Sequence, residues 1–275
     1  MGGSAPDRAG PRHQPRHRRD LQEPRAREAR PLSGGTALNK LHFPAPIRYS
    51  EDIDLVRTTA GPIKPLLDGL RDVLEPWLGK PVFDASAVAP KLTFRVPAED
   101  DGQIRLKVEI NTREIVALDA PLALPYAIDN PWFTGRAEIQ TFSREEMLAT
   151  KLRALLQRDK GRDLFDLDHA LNVFDGLDAA RVVAHLGTYL KGTGLAISRA
   201  QAEERMFKKL AASTFLTDMK PLLSADQAEK MTADASTRAF SKVFGRLVAL
   251  MPGESWARTP AMMEKFGIDL RGGEL

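Results

Sequence analysis

Two neighbouring segments of this chain alternate strictly between apolar and polar side chains. Residues 91–96 and residues 104–111 each show a period of two. Such a period turns successive side chains to opposite faces of a strand, so each segment has one face for a core and one for solvent. The acidic connector 99–102 ends in glycine, which is a turn signal. The two segments therefore predict the strands of a β-hairpin.

The pattern changes from strands to helices along the chain. Residues 62–78 carry apolar side chains three and four positions apart, which predicts an amphipathic helix. Residues 36–43 predict a short helix, and 137–142 a further strand. Ser143, with Glu146 three positions later, matches a capping box at the start of a helix. From there to about residue 250 the pattern is almost wholly helical.

Composition excludes several classes of protein. With 43% hydrophobic residues among 275, the chain can build one large domain or two smaller ones. It has no cysteine, so disulfides and thiolate metal sites are excluded. No apolar run approaches the roughly 20 residues that span a bilayer, and no apolar segment follows the basic N-terminus as in a secretory signal. We therefore expect a cytoplasmic protein without membrane association.

Residues 1–32 differ from the rest of the chain. They hold eight arginines and four acids, a net charge of +4, whereas the whole chain has +3, which leaves −1 for the remainder. Rich in arginine and proline and poor in large apolar residues, the segment predicts a disordered tail. It is either an RNA-binding arm or a non-native or misassigned start, and its unlikeness to the rest favours the second interpretation.

Three acids are candidates for a metal site. Asp52 and Asp54 lie two apart in a strand-like segment, so both carboxylates share one face. Glu109 lies mid-strand on the polar face of its segment, where an adjacent strand could bring it beside the pair. Hard oxygen ligands of this kind suit Mg²⁺, which also bridges substrate phosphates. The alternative is that the acids simply face solvent on an edge strand.

A glycine pair upstream is a candidate phosphate loop. Gly34 and Gly35 allow close approach of the backbone to a phosphate, and the following helix offers free N–H groups. Thr36 adds a hydroxyl, and Ser50 precedes the acids, where it could contact a triphosphate. Alternatively, the glycines form an ordinary tight turn and Ser50 merely starts the strand.

Together these two motifs resemble a known family. Residues 34–38 (GGTAL) followed by 48–55 (RYSEDIDL) look like the first motif of the polymerase-beta-like nucleotidyltransferases. More narrowly, they resemble the AbiEii/AbiGii toxin family, in which GGTAL precedes an S-x-DIDL strand. The resemblance runs from about residue 33 to 223. The strand and helix patterns predict an α+β fold, with a mixed-sheet domain over residues 33–142 followed by an α-helical domain over 143–275, and the resemblance implies that the first is a nucleotidyltransferase domain.

The resemblance also implies an activity and partners. Asp52 and Asp54 would bind Mg²⁺, and Glu109 would complete the metal site and act as general base toward an acceptor. The substrate would be an NTP and the acceptor the 3′ end of tRNA. The partner would be a cognate antitoxin, often a DNA-binding repressor in this family. A degenerate nucleotidyltransferase fold that binds RNA or protein, and an antibiotic-modifying nucleotidyltransferase, are the alternatives.

The segment 145–166 resembles a later motif of the family, a lysine-bearing helix followed by R-D-x-x-D. Lys151 and Arg158 are seven apart, so they share a helix face and could hold a triphosphate. Asp163 is a further candidate catalytic residue. Without the resemblance, Lys151 would be read as a solvated lysine, and Asp163 with Asp166 as an N-cap and a first-turn acid after a helix closed by Gly161.

One departure from the family concerns the segment before Gly34. Relatives have an apolar strand there, but Leu32 is the only apolar residue among 30–33. We therefore expect the strand to be absent and the phosphate loop to be poorly anchored. The expected result is a chain less stable than its relatives, or one that has lost activity.

Overall fold

The computed structural model describes residues 31–50, 52–58, 60–98, 102–113, 116–131, 133–212, 215 and 218–270. Residues 1–30 of the expected tail and residues 99–101 of the hairpin turn lie outside this described part. Leu32, at the end of the expected tail, belongs to the sheet.

A seven-stranded mixed sheet forms the first half of the molecule. Its strands are β1 (Leu32–Ser33), β2 (Asp52–Val56), β3 (Val82–Asp84), β4 (Lys91–Pro97), β5 (Gln103–Asn111), β6 (Leu122–Asp129) and β7 (Thr134–Thr141). Their order is β3-β4-β5-β2-β1-β7-β6. The β2–β5 and β1–β7 pairs are parallel and the others antiparallel. The mixed sheet and the β4–β5 hairpin confirm the predicted fold class.

One helix covers the apolar face of the hairpin. Helix α2 (Lys64–Leu78) buries Leu66 and Leu67 in a small core with Leu92, Phe94 and Val108, the apolar positions of the alternating segments. Because the side chains alternate, the polar residues of β4 and β5 lie on the opposite face. The sheet therefore has one face on α2 and one polar face.

The strand expected to be absent is present, so that prediction was wrong. β1 is only two residues long, but it pairs with β2 on one side and β7 on the other. The N–H of Val56 also donates to the carbonyl of Pro31 at 3.0 Å, and the Thr141 hydroxyl donates to the carbonyl of Leu32 at 2.8 Å. Two residues cannot show a period, so no strand pattern is visible in this segment. The glycine turn is anchored in mid-sheet.

Helices follow the glycine turn and make up the second half. Helix α1 (Gly34–Ala37) continues as a wider π turn over Leu38–His42. The later helices are α3 (Arg144–Gln157), α4 (Gly161–Val173), α5 (Ala179–Gly192), α6 (Arg199–Ala211), α7 (Ala225–Lys230), α8 (Ala233–Arg246) and α9 (Thr259–Phe266), with 3₁₀ turns at Lys220–Leu222 and Val248–Leu250. One hydrophobic core extends from β1 and α1 through α3 to α8. Within the described residues, no helix is long and apolar enough to cross a membrane.

Helix starts agree only in part with the sequence patterns. The Ser143 hydroxyl accepts the N–H of Glu146 at 3.1 Å, as a capping box requires. The Glu146 carboxylate, however, accepts from the N–H groups of Leu118 and Asp119 and from the hydroxyl of Tyr189. The Glu146 side chain therefore connects α3 to the loop between β5 and β6 and to α5. In a capping box it would accept a backbone N–H at the start of its own helix.

The start of α4 also differs from expectation. Gly161 begins α4 and does not close α3, which ends at Gln157; the N–H of Gly161 donates to the carboxylate of Asp218 at 3.0 Å. The N-cap is Lys160, and Asp163 lies in the first turn with its carboxylate directed to other side chains. The interpretation of Asp163 as an N-cap was therefore wrong.

Candidate active site

The three candidate carboxylates lie together on the polar face of the sheet. Asp52 and Asp54 are two apart in β2 and share that face, with Ile53 turned toward the apolar side. In the parallel β2–β5 register, Asp54 lies directly beside Glu109. The fold thus brings Glu109, which is distant in sequence, beside the Asp52–Asp54 pair on one face of the sheet.

Lys107 lies among these acids, and the sequence analysis did not single it out. Its Nζ is 3.0 Å from Oδ2 of Asp52 and 3.3 Å from Oε2 of Glu109. Burial alone would lower the pKa of Lys107, but the two carboxylates outweigh it and raise the pKa. The sequence spacing could have indicated this position, since Lys107 is two residues from Glu109 in the same strand and so shares its face.

The Asp54 carboxylate is buried and lies close to two other carboxylates. Burial raises its pKa above the ordinary value, and the negative charges of Asp52 and Glu109 raise it further. Lys151 and Lys107 act in the opposite direction without cancelling the effect. A cation among the acids would relieve this repulsion.

The three acids offer the type of oxygen ligand that magnesium binds. Carboxylate oxygens on adjacent strands are the ligands that Mg²⁺ prefers. As the side chains stand, however, no three acidic or histidine side chains of the described residues are arranged to hold a metal ion. The Lys107 ammonium lies between Asp52 and Glu109, so an ion binding to all three acids would displace it.

The glycine turn lies directly against this cluster. Gly34 has φ +69°, and a Cβ there would lie 2.0 Å from Oδ2 of Asp54. A Cβ on Gly35 would lie 2.3 Å from an Nη atom of Arg48. Glycine is therefore required at both positions, by backbone conformation at the first and by close approach of side chains at both.

The hydroxyls of Thr36 and Ser50 bond to each other. Their oxygens are 2.6 Å apart, and the Thr36 hydroxyl also donates to the carbonyl of Asp52. This arrangement fastens the start of α1 to the start of β2. Ser50 lines the cleft, whereas contact of either hydroxyl with a nucleotide stays a prediction.

An ion-pair network built from α3, α4 and the segment before β2 faces the acids. It consists of the cations Arg48, Lys151 and Arg158 and the carboxylates Asp163 and Asp166. Lys151 Nζ lies 3.2 Å from Asp163 and 2.8 Å from Asp166. Arg158 grips Asp163 through two hydrogen bonds of 2.7 and 2.8 Å.

Arg48 adds a second bidentate contact to this network. Its guanidinium donates to both oxygens of Asp166 at 2.7 Å and to the carbonyl of Tyr49 at 2.9 Å. Burial would raise the pKa of Asp163 and of Asp166, but their cationic partners dominate and lower both. Both carboxylates are fully buried, so the placement of Asp163 supports an effect on its partners and not contact with a substrate.

The two groups of charges line one cleft of about 240 Å³. An ammonium has three donors, and Lys151 uses two on Asp163 and Asp166, which leaves one. The side chain of Arg158 is 46% exposed. Arg162 also lines the cleft and has no ion pair with any residue that the structure describes. The cleft thus joins an acidic floor to a wall with unused N–H donors.

Tyr49 stands at the rim of the cleft, and the sequence analysis did not single it out. Its ring is 56% exposed. The backbone beneath it is fixed on both sides, because its N–H donates to the carbonyl of Leu222 at 2.8 Å and its carbonyl accepts from Arg48. An aromatic ring on a fixed backbone beside a polar cleft can stack on a flat ligand.

Comparison with known proteins points to a family. Residues 19–246 match the family model described as nucleotidyl transferase AbiEii toxin of a type IV toxin–antitoxin system. No sequence among the curated proteins matches the chain. JHP933 of Helicobacter pylori shows 15% identity and a TM-score of 0.45, over 79% of this chain and 86% of that one. The nucleotidyltransferase toxin MenT4 of Mycobacterium tuberculosis shows the same identity and TM-score over 88% and 85%.

Proposed function

Since the chain belongs to the AbiEii family of nucleotidyltransferase toxins, we propose that it transfers a nucleoside monophosphate from an NTP to the 3′ end of an RNA, a tRNA in particular. The observation that carries this proposal is the single cleft in which three carboxylates, a glycine turn and a cationic wall meet. Acids that bind a metal, a backbone open to phosphate and cations for a leaving pyrophosphate are the parts such a transfer needs.

The residues take separate roles in this proposal. Asp52, Asp54 and Glu109 hold Mg²⁺, which when bound neutralises phosphate charge and orients the α-phosphate. Glu109 also accepts the proton of the attacking hydroxyl, since its strand β5 lies on the side of β2 away from β1 and the glycine turn. Gly34 and Gly35 admit the triphosphate.

The cationic wall stabilises the leaving group. Lys151 and Arg158 place their unused N–H donors toward the pyrophosphate, and Arg162 adds a third cation. Asp163 and Asp166 hold these cations in place, so both are positioning residues. Catalysis rests on positioning and charge, with no covalent enzyme intermediate.

The biological setting follows from the family. A toxin of a toxin–antitoxin system has a cognate antitoxin as its partner. We propose that this antitoxin is a DNA-binding repressor and that the toxin acts in the cytoplasm, where tRNA is available.

A labelled-nucleotide assay tests the enzymatic proposal. The chain is incubated with each of the four α-labelled NTPs, bulk tRNA and Mg²⁺, and label in RNA is measured. We expect transfer by the wild type and a loss of at least about 10²-fold for Asp52→Asn or Asp54→Asn, equivalent to several kcal/mol of charge stabilisation. Asp68→Asn, on the far side of the sheet in α2, is the matched control and should leave transfer unchanged. Equal transfer by Asp54→Asn would refute the proposal.

One observation favours a second function. The Lys107 ammonium pairs with both Asp52 and Glu109, so part of their charge is neutralised without a metal, as expected of a degenerate fold that only binds RNA or protein. Thermal unfolding with an NTP separates the two functions. The enzyme gains stability from NTP only when Mg²⁺ is present, whereas the binding module shows no such Mg²⁺-linked gain.

A further inference from the structure

Four basic side chains form a strip on the polar face of the hairpin. The basic strip consists of Lys91 and Arg95 of β4 and of Arg105 and Lys107 of β5. In the antiparallel register Lys91 lies opposite Glu109, and Arg95 lies directly opposite Arg105. The strip therefore begins at the carboxylates and continues along the same face of the sheet.

No side-chain interaction within the described part of the chain stabilises the pairing of Arg95 with Arg105. Both are exposed, and neither forms an ion pair with any residue that the structure describes. Like charges directly opposite on a sheet destabilise the pairing of the strands. Helix α2 occupies the other face, so these side chains do not serve the packing of the core. An external anion would relieve their repulsion.

The position of the strip relative to the acids indicates which anion would bind to it. The glycine turn follows β1 on one side of the carboxylates, and the strip lies on the β4–β5 side. In phosphoryl transfer the attacking and leaving oxygens stand roughly in line on opposite sides of the phosphorus. With the triphosphate on the first side, the acceptor approaches from the second.

We propose that the basic strip binds the phosphodiester backbone of the acceptor RNA next to its reacting 3′ end. This inference rests on the proposed function for its orientation. Arg105 lies four positions before Glu109 in β5, a distance of about 13 Å along the strand, which is long enough to reach phosphates upstream of the terminal nucleotide. The residues at the far end, Arg95 and Arg105, contact phosphates upstream of the terminal nucleotide.

Salt-dependent binding of RNA tests this site without any chemistry. Fluorophore-labelled bulk tRNA is titrated with the wild type and with Arg95→Ala/Arg105→Ala, without NTP or metal, at several salt concentrations. The slope of log K against log salt is negative, and each lost phosphate contact lowers its magnitude by about 0.7 on a single strand. We therefore expect the double variant to lower the magnitude of the slope by about 1.4.

Controls separate this result from misfolding and from failure of the enzymatic proposal. The double variant should unfold at the same temperature as the wild type or higher, because a like-charge pair is removed. Arg238→Ala, exposed on α8, should leave the slope unchanged. A slope of lower magnitude supports the strip even if no label is ever transferred. Absence of tRNA binding by the wild type, or an unchanged slope in the double variant, overturns the inference.

Discussion

The substitution Asp166→Asn tests how far the ion-pair network holds the molecule together. Asp166 is fully buried and joins Arg48, from the segment before β2, to Lys151 of α3. The network has three cations and two carboxylates, so the substitution keeps the shape but leaves three cations against one carboxylate. No other carboxylate of the described network contacts Arg48.

The expected cost is large because the cation stays buried. Removing one partner of a buried ion pair costs about 3–5 kcal/mol. For a chain of this size 1 kcal/mol corresponds to roughly 2–4 °C, so the melting temperature should fall by about 6–20 °C. Urea denaturation followed by circular dichroism measures the free energy, and calorimetry measures the temperature.

Three variants make the measurement specific. Asp68→Asn removes a carboxylate from the exposed pair with Lys64 and should cost no more than about 0.5 kcal/mol. Arg48→Met should cost less than Asp166→Asn, because Lys151 still neutralises Asp166. The double variant should cost less than the sum of the two single ones. A cost below about 1 kcal/mol for Asp166→Asn, or strict additivity, would show that the network does not carry the stability assigned to it.

The same network predicts sensitivity to acid. The pKa of Asp166 is lowered in the folded state, so its contribution is present above the unfolded pKa and is lost as pH falls through the folded pKa. Asp166→Asn should therefore flatten the loss of stability on the acid side. An equally steep acid dependence in the variant would contradict this assignment.

Three further predictions concern the acids and the glycine turn. Asp54→Asn should raise the melting temperature without ligand at pH 7. The folded pKa of Asp54 is raised, so its charged form costs stability once pH exceeds both the folded and the unfolded pKa. An unchanged or lower melting temperature would argue against the repulsion. Lys107→Met should bind Mg²⁺ at least about tenfold more tightly in calorimetric titration, a gain of ~1.4 kcal/mol. The reason is that no ammonium then competes between Asp52 and Glu109. Weaker binding would mean that Lys107 supports the metal site. Gly34→Ala should lower stability by about 1–3 kcal/mol in urea, since its φ is +69° and its Cβ would displace Asp54, and a neutral result would contradict that contact.

Sequence patterns predicted the parts of the fold that have a period. The β4–β5 hairpin and α2 each repeat their pattern over a long segment, so both were found. β1 and β3 are two and three residues long and carry no period. β6 contains Pro125, which reads as a break, although an edge strand tolerates proline.

The candidate site divides in the same way. Asp52, Asp54 and Glu109 were found because a strand puts alternate residues on one face, and the register of β2 with β5 then brings them together. The pairing of Arg48 with Asp166 joins residues 118 apart, which no local pattern encodes. The partners of Asp163 were likewise hidden, so a residue that looked like a helix cap belongs to an ion-pair network.

The two-residue strand β1 gives the sheet a narrow waist. β2 to β5 stand on one side of it and the β6–β7 hairpin on the other, and β7 meets β1 at Leu32 and Thr141 alone. Because the β1–β7 ladder is one residue pair long, its backbone hydrogen bonds couple the unfolding of the two halves only weakly. The hairpin is instead coupled to the rest through the side chains of the core, where Leu32 and Phe142 lie together with α3. Local opening of the β6–β7 hairpin therefore depends on the packing of these core side chains and little on the backbone ladder at β1.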